Sequence, residues 1–367
     1  MMKKHDFKSA LTAAVFLLVL FGLGLAHLFL PDQAVSVAER RKLEQVPAFS
    51  WQSVKKGDYQ TRLEAYLLDQ FPARDGFRSL KAAMRFYLYG QKDNNGVYLA
   101  DGSVQKMEYP LKENQIRYGA NKLNAVYDQY LTGMNVYFSI VPDKNYFTAE
   151  KNGYPHMDYG RLTAMMTESV EHMTYIDLFD CLRIEDYYIT DAHWRQQCLD
   201  RVLARLGEAM DVPVLPLDGY EQNELFPFYG VYCGQSALPV GADMLVYLTN
   251  DATQSAKVTG LEFEGEKPVY TVERFEGMDG YDVFLSGAQA ILTIECPNAQ
   301  TDRELIVFRD SFASSLAPLL TGSYSKITLI DLRYIGAQLL DDYVVFDDQD
   351  VLFLYSTSVL NSAMLLK

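Results

Sequence analysis

Cysteine is scarce in this chain. There are four in 367 residues, at Cys181, Cys198, Cys233 and Cys296, with no Cys-x-x-Cys pair. That excludes a disulfide scaffold and a paired-cysteine zinc site. One or two disulfides, or four small buried thiols, fit the spacing equally. His-Glu-x-x-His is absent, as is a glycine-rich phosphate loop of either standard kind, so neither metal nor nucleotide chemistry has local support. Positive charge is in deficit: 33 Lys and Arg stand against 48 Asp and Glu, a formal net charge of −15. A protein that neutralises nucleic-acid phosphates needs clustered cations, so no nucleic-acid partner is expected. Internal repeats and low-complexity tracts are also lacking. Histidines number only five.

What is present is globular, with 49% hydrophobic and 22% charged residues. That is too apolar for a disordered chain. Residues 10–30 (ALTAAVFLLVLFGLGLAHLFL) carry no formal charge. An apolar helix of roughly 20 residues crosses the hydrocarbon core of a bilayer. Lys3, Lys4 and Lys8 precede this run against Asp6 alone, which predicts a cytoplasmic N-terminus. The alternative is a cleaved signal peptide, whose apolar region is normally about 7–15 residues long and ends in a small-x-small site. This run is longer and ends Leu28-Phe29-Leu30-Pro31, so an uncleaved anchor is expected. The expected organisation is a cytoplasmic tip at 1–9, a transmembrane anchor at 10–30, a stalk at 31–58 and an extracellular or periplasmic domain at 59–367. Removing residues 1–30, with their three lysines and one aspartate, leaves 30 basic and 47 acidic residues, a net of −17. His5 and His27 fall outside that domain. An imidazole base must then be His156, His172 or His193.

Residues 59–90 have helical spacing, interrupted at Pro72. Asn94-Asn95-Gly96 and Asp101-Gly102 bracket a hairpin strand at 97–99. Helical spacing returns over 111–131. Short apolar strands then alternate with helices. The strands are expected at 136–141, 174–179, 305–308, 326–330 and 351–355, and the helices at 159–173, 194–210 and 312–321. In the helix at 194–210, Trp194, Cys198, Val202, Leu206 and Met210 recur every four residues. This alternation predicts a doubly wound α/β domain, a mostly parallel sheet with flanking helices. Residues 217–300 carry Gly, Pro, Thr and short strand-like runs, and read as a β-rich insertion.

Two segments carry candidate chemistry. In Thr190-Asp191-Ala192-His193-Trp194, a spacing of two puts Asp191 and His193 on one side of an extended chain. A carboxylate there can hold the imidazole tautomer. The competing reading is a helix cap at Thr190 or Asp191. In Phe308-Arg309-Asp310-Ser311-Phe312, an apolar strand ends, polar residues turn, and a helix with small residues begins. A serine at such a turn projects its hydroxyl at the sheet edge. Here too a capping role for Ser311 or Asp310 competes.

Asp-x-His-Trp at 191–194, followed by a strand and Asp-Ser-Phe at 310–312, resembles the alginate O-acetyltransferase (AlgX/AlgJ-type) branch of the SGNH/GDSL hydrolases. It resembles more closely the DHHW proteins of that branch. Pro142-Asp143-Lys144 is similar to the family's strand-end Pro-x-Lys. Phe228-Tyr229-Gly230 with Gly234 is similar to its glycine-containing segment, and 330–334 to the strand after its serine helix. Ala192 departs from the name-giving motif, and Arg309 stands where the family has glycine.

The resemblance implies an SGNH-like fold over roughly 36–360. It also implies a triad of Ser311 as nucleophile, His193 as general base and Asp191 as its orienting carboxylate. The activity implied is transfer of an acetyl group to hydroxyls of an exopolysaccharide or cell-wall glycan, without a metal or other cofactor. A membrane-bound MBOAT-type protein would supply the acetyl donor. Lys144, Arg333 and Tyr334 become candidates for substrate contact; the alternatives are a surface lysine at a strand end and a buried pair of Arg333 with Asp331. An esterase with the same triad and a catalytically silent glycan-binding scaffold are the other functional readings.

Overall fold

The computed structural model describes residues 4–36 and 38–367, so Lys3 of the basic flank lies outside the described residues. The chain divides into two units, one of residues 1–92 with 237–239 and one of residues 93–236 with 240–367.

In the first unit, Lys4–Phe29 is one helix. Its span Phe7–Phe29 has a mean hydropathy of 2.3 and is the one described helix long and apolar enough to cross a membrane. Short paired strands, Val35–Ser36 and Arg41–Lys42, follow it. Next come helices Trp51–Lys56, Asp58–Asp69 and Arg74–Ala83, the last continuing as a wide turn over Met84–Leu88. Pro72 lies in the break, because proline lacks the amide that a helix interior needs. Arg41 clamps Asp69 with two hydrogen bonds, at 2.8 and 2.5 Å. Those bonds lead in drawing the Asp69 carboxyl down to about 2, against the cost of its burial.

The second unit is built on an eight-stranded sheet. Its strands are β1 (Val136–Val141), β2 (Thr174–Asp177), β3 (Lys257–Gly260), β4 (Phe263–Lys267), β5 (Ile291–Glu295), β6 (Glu304–Arg309), β7 (Lys326–Ile330) and β8 (Asp350–Ser356). Across the sheet they run β4-β3-β5-β7-β6-β8-β1-β2. The five strands from β7 to β2 are parallel, and β4, β3 and β5 extend the sheet antiparallel. The mixed α/β fold with a mostly parallel sheet matches the sequence expectation.

Both faces of the parallel part are covered, which is why its strands are nearly all apolar. On one face Leu305, Val307, Leu352 and Leu354 pack with Val202, Leu203 and Leu206 of helix Asp200–Met210. On the other, Ile306, Phe308, Val351 and Phe353 pack with Ile116, Ala120 and Leu123 of helix Glu113–Val126. Burying each Val, Leu, Ile or Phe side chain among these contributes about 1.5–3 kcal/mol.

The region 217–300 divides. Glu221–Phe228 and Asp243–Thr249 form a separate antiparallel ribbon, while β3, β4 and β5 join the main sheet. The helix expected over 194–210 starts late, at Asp200. Ahead of it, Trp194 bridges Tyr187 as an extended residue and the Tyr188 amide donates to the His193 carbonyl. The Trp194 indole donates to Ser315 Oγ at 2.9 Å, and the Gln196 amide to the Ser315 carbonyl at 2.6 Å. These long-range bonds outweigh the local helical spacing, and Trp194 is an extended residue ahead of the helix that its periodicity suggested, in the same buried cluster.

Candidate active site

β6 ends at Arg309, Asp310-Ser311-Phe312 turn, and a short helix, Ala313–Leu316, begins. Asp310 shapes the turn. One carboxylate oxygen accepts from the Phe312 amide at 3.0 Å and the other from the Ser356 amide beyond β8 at 2.7 Å. Ser311 is thereby held at the C-terminal edge of the parallel strands, half-buried.

His193 arrives from a different loop. Its Nδ1–H donates to Asp191 Oδ1 at 2.6 Å. Its Nε2, left as the acceptor, faces Ser311 Oγ at 2.7 Å. The extended segment places Asp191 and His193 on one side, as a spacing of two requires. Asp191 is fully buried. Its Oδ1 also accepts from the His193 amide at 3.1 Å, and its Oδ2 from the Val231 amide at 2.8 Å. Three donors on one carboxylate stabilise its charged form and fix its rotamer. The imidazole is stacked on Tyr281, with ring centroids 3.9 Å apart and planes 9° from parallel. The Tyr281 hydroxyl donates to Ser315 Oγ at 2.8 Å, tying the ring that carries His193 to the helix after Ser311.

The loop bearing Asp191 is clamped from outside. Asp243 accepts from the Ile189 and Thr190 amides, both at 2.7 Å, and from the Thr190 hydroxyl at 2.5 Å. Gly230 sits so close that a Cβ there would lie 2.3 Å from the Thr190 carbonyl oxygen and 2.4 Å from Asp191 Cα. The glycine-containing segment noted in the sequence therefore has a steric reason. A Gly230→Ala variant is expected to lose about 1–3 kcal/mol of stability, the usual cost of overpacking. Because the clash falls on Asp191, turnover should drop more steeply than stability. Denaturant unfolding alongside kcat checks this; unchanged values for both would contradict the close approach.

The remaining candidates divide. Lys144, expected as a substrate contact, is buried and committed to the scaffold. Its ammonium lies 2.6–3.1 Å from the carbonyls of Val104, Tyr188, Ile189 and Asp191. Burial pulls it down to about 7, against the pull of Asp191 and Asp243. The side chain points inward, where its ammonium donates to carbonyls of the extended 188–193 segment. Arg333 is likewise spent on a buried partner, donating to both oxygens of Asp331 at 2.9 and 2.6 Å. Burial opposes its charge, but the two-pronged bond to Asp331 raises it overall. Tyr334 beside it is 52% exposed and open to solvent. Arg309, at the position where glycine was expected, is 1% exposed and donates to Ser314 Oγ at 2.8 Å, bracing the turn from behind. Ala192 packs on Val97, Val104 and Tyr232. His156 and His172 stand apart, His156 bonded to its neighbour's carbonyl and His172 stacked on Tyr127.

Asp243 and Tyr281 were not legible beforehand. Both lie in the 217–300 region among many acids and aromatics, and only their through-space partners distinguish them. Cys181, Cys198 and Cys296 are free thiols. Burial pushes Cys181 up to about 11 and Cys296 up to about 12. Among the described residues no cluster of His, Cys, Asp and Glu has metal-binding geometry.

No protein-family model matches the chain, and no curated protein matches it. Solved structures do. A DHHW family protein from Eubacterium siraeum is 20% identical with a TM-score of 0.60, over 73% of this chain and 93% of that one. PatB1 of Bacillus cereus is 19% identical with a TM-score of 0.58, over 74% of this chain and 99% of that one. A PatB1 structure with a sulfonyl adduct matches at 20% identity and a TM-score of 0.57, over 72% of this chain and 95% of that one. This chain therefore has the fold of that DHHW family protein and of PatB1.

Proposed function

We propose that this protein is a membrane-anchored O-acetyltransferase that moves an acetyl group onto the hydroxyls of an exopolysaccharide or cell-wall glycan through Ser311. The observation that carries the reading is the continuous relay from Asp191 through His193 to Ser311, at 2.6 and 2.7 Å. Ser311 Oγ attacks the acetyl carbonyl carbon while His193 Nε2 takes the hydroxyl proton. Backbone N–H groups of the turn after β6 would stabilise the negative charge that develops on the carbonyl oxygen. The donor's C–O bond breaks, and the leaving oxygen takes the proton from His193. A sugar hydroxyl then attacks the acetyl-serine as His193 removes its proton; collapse frees Ser311, which takes that proton back. Asp191 holds the tautomer throughout and steadies the transient imidazolium.

The acetyl-serine has two fates, transfer to a sugar or hydrolysis. Transfer requires an acceptor held in attack position, so that it outcompetes water. The exposed Tyr334 is a candidate contact at the strand edge. The net charge of −17 beyond residue 30 favours a neutral or zwitterionic glycan over a strongly anionic one. The apolar helix and its basic flank support an anchor with its N-terminus in the cytoplasm and the Ser311 domain outside. An external enzyme needs acetyl carried across the membrane, which supports an MBOAT-type donor partner.

The test incubates the purified full chain with an activated acetyl ester, with and without an oligosaccharide. Acetylated sugar is the expected product. Acetate alone would make the protein an esterase. Neither product, with no response to Ser311→Ala, would make it a binding scaffold.

A further inference from the structure

After the break at Pro72, helix Arg74–Ala83 and its continuation Met84–Leu88 expose an apolar stripe. Phe77, Leu80, Met84, Tyr87 and Leu88 are 48, 56, 40, 72 and 67% exposed. Their spacing of three, four, three and one places them on one helical face. Over residues 74–92 the charge is the reverse of the chain's average, with five basic residues, Arg74, Arg78, Lys81, Arg85 and Lys92, against Asp75 alone. Arg74 and Arg78 also pair with Glu39.

This stripe begins where the apolar N-terminal helix ends. His27, in the last turn of that helix, donates through Nδ1 to the Gln70 carbonyl at 3.1 Å, and its ring meets Tyr66 edge-on at 5.6 Å. The Gln33 amide donates to Gln70 Oε1 at 2.9 Å, and Gln70 Nε2 donates back to the Gln33 carbonyl at 2.9 Å. Phe71 and Phe77 follow in contact, with ring centroids 5.8 Å apart. Leu30 and Phe71 line one cavity of about 450 Å3. The end of the membrane-length helix and the start of the exposed stripe are thus one packed assembly. A helix that carries an apolar stripe and flanking Lys and Arg, held at the level of a bilayer surface, has the make-up of an interfacial helix.

We propose that the face of Phe77, Leu80, Met84, Tyr87 and Leu88 lies in the interfacial layer of the bilayer that Phe7–Phe29 spans, with Lys81, Arg85 and Lys92 toward anionic lipid headgroups. The protein then holds its membrane at two places, by a spanning helix and by a surface helix. This is independent of the chemistry at Ser311 and rests on the N-terminal helix being inserted.

The test reconstitutes the full chain, carrying Trp51→Phe, into vesicles of phosphatidylcholine with phosphatidylglycerol and bromine-labelled acyl chains. Single tryptophans are read at Leu80→Trp and Leu88→Trp, with Phe16→Trp as the spanning reference and Val345→Trp as the exposed one. Buried Trp194 is a constant background. The expected result is quenching at 80 and 88 about twofold or more above that at 345, decreasing when phosphatidylglycerol is left out. Quenching at 80 and 88 equal to that at 345 would overturn the proposal, as would an unquenched 16. Cross-linking of 80 and 88 to another protein in native membranes, with no quenching in vesicles, would replace the lipid by a protein partner and overturn it as well.

Discussion

Ser311→Ala is expected to lower acetyl transfer by about 10^3-fold to 10^6-fold, the range seen when a serine nucleophile is removed from an intact triad. The reason is local. The hydroxyl is the only atom of Ser311 that reaches the His193 ring, and alanine has nothing to carry the acetyl group. The fold should not respond. The Ser311 side chain is half-buried, and among the described residues its one hydrogen bond is the 2.7 Å contact to His193. Phe312 and Asp310 hold the turn without it. Stability should therefore stay within about 0.5 kcal/mol of the parent. A sulfonyl fluoride should label the parent at Ser311 and leave the variant unlabelled at that position, read by peptide mass spectrometry. Full transfer activity in Ser311→Ala, or labelling at a different serine with loss of activity, would refute the assigned nucleophile.

Asp191→Asn is expected to cost about 10^4-fold in kcat, although it changes only an oxygen to an amide nitrogen. Asp191 accepts on both sides at once, from His193 on Oδ1 and from the Val231 amide on Oδ2. Asparagine has a single acceptor oxygen. If that oxygen faces His193, the amide NH2 meets the Val231 N–H, two donors in contact. If the amide turns round, its NH2 faces Nδ1, which must then accept; Nε2 carries the proton and can no longer take one from Ser311. Either arrangement weakens the relay. The second gives the wrong tautomer outright. Since Asp191 and Ser311 act as one unit, the double variant with Ser311→Ala should be no slower than Ser311→Ala alone. Multiplying losses would mean that Asp191 serves something other than the relay. Stability should fall by about 1–3 kcal/mol, the penalty for one buried group left without a partner. Chemical denaturation separates that loss from the kinetic one.

Much of the fold was legible because apolar runs and turn residues act over a few neighbours. β1 and β7 fall on the expected residues, 136–141 and 326–330. Both are short runs, almost wholly apolar, that need cover on two faces. The 97–106 hairpin follows from Asp101-Gly102 in the same way. Misreadings arose where a side chain had two plausible homes. Trp194 has a spacing that suits the helix after it, yet its indole bonds to Ser315. Lys144 at a strand end reads as a surface cation, and becomes a buried one because four backbone carbonyls surround it. The region 217–300 reads as one insertion, but half of it completes the main sheet.

Residue type and spacing along the chain were enough to identify an apolar helix of membrane length and a two-faced α/β sheet, and to single out Asp191 and His193 as a candidate pair beside a helix-cap reading, since each is a property of neighbours in sequence. The relay is not such a property. Ser311 lies 118 residues from His193, and no local pattern registers a contact made only when β6 is seated between β7 and β8. The same holds for Asp243 gripping Thr190, Tyr281 under the imidazole and Gly230 against Asp191. Each is a short-range force between groups distant in sequence, so motif and resemblance could name Ser311, Asp191 and Gly230 as candidates, while only packing brings them, with Asp243 and Tyr281, into contact.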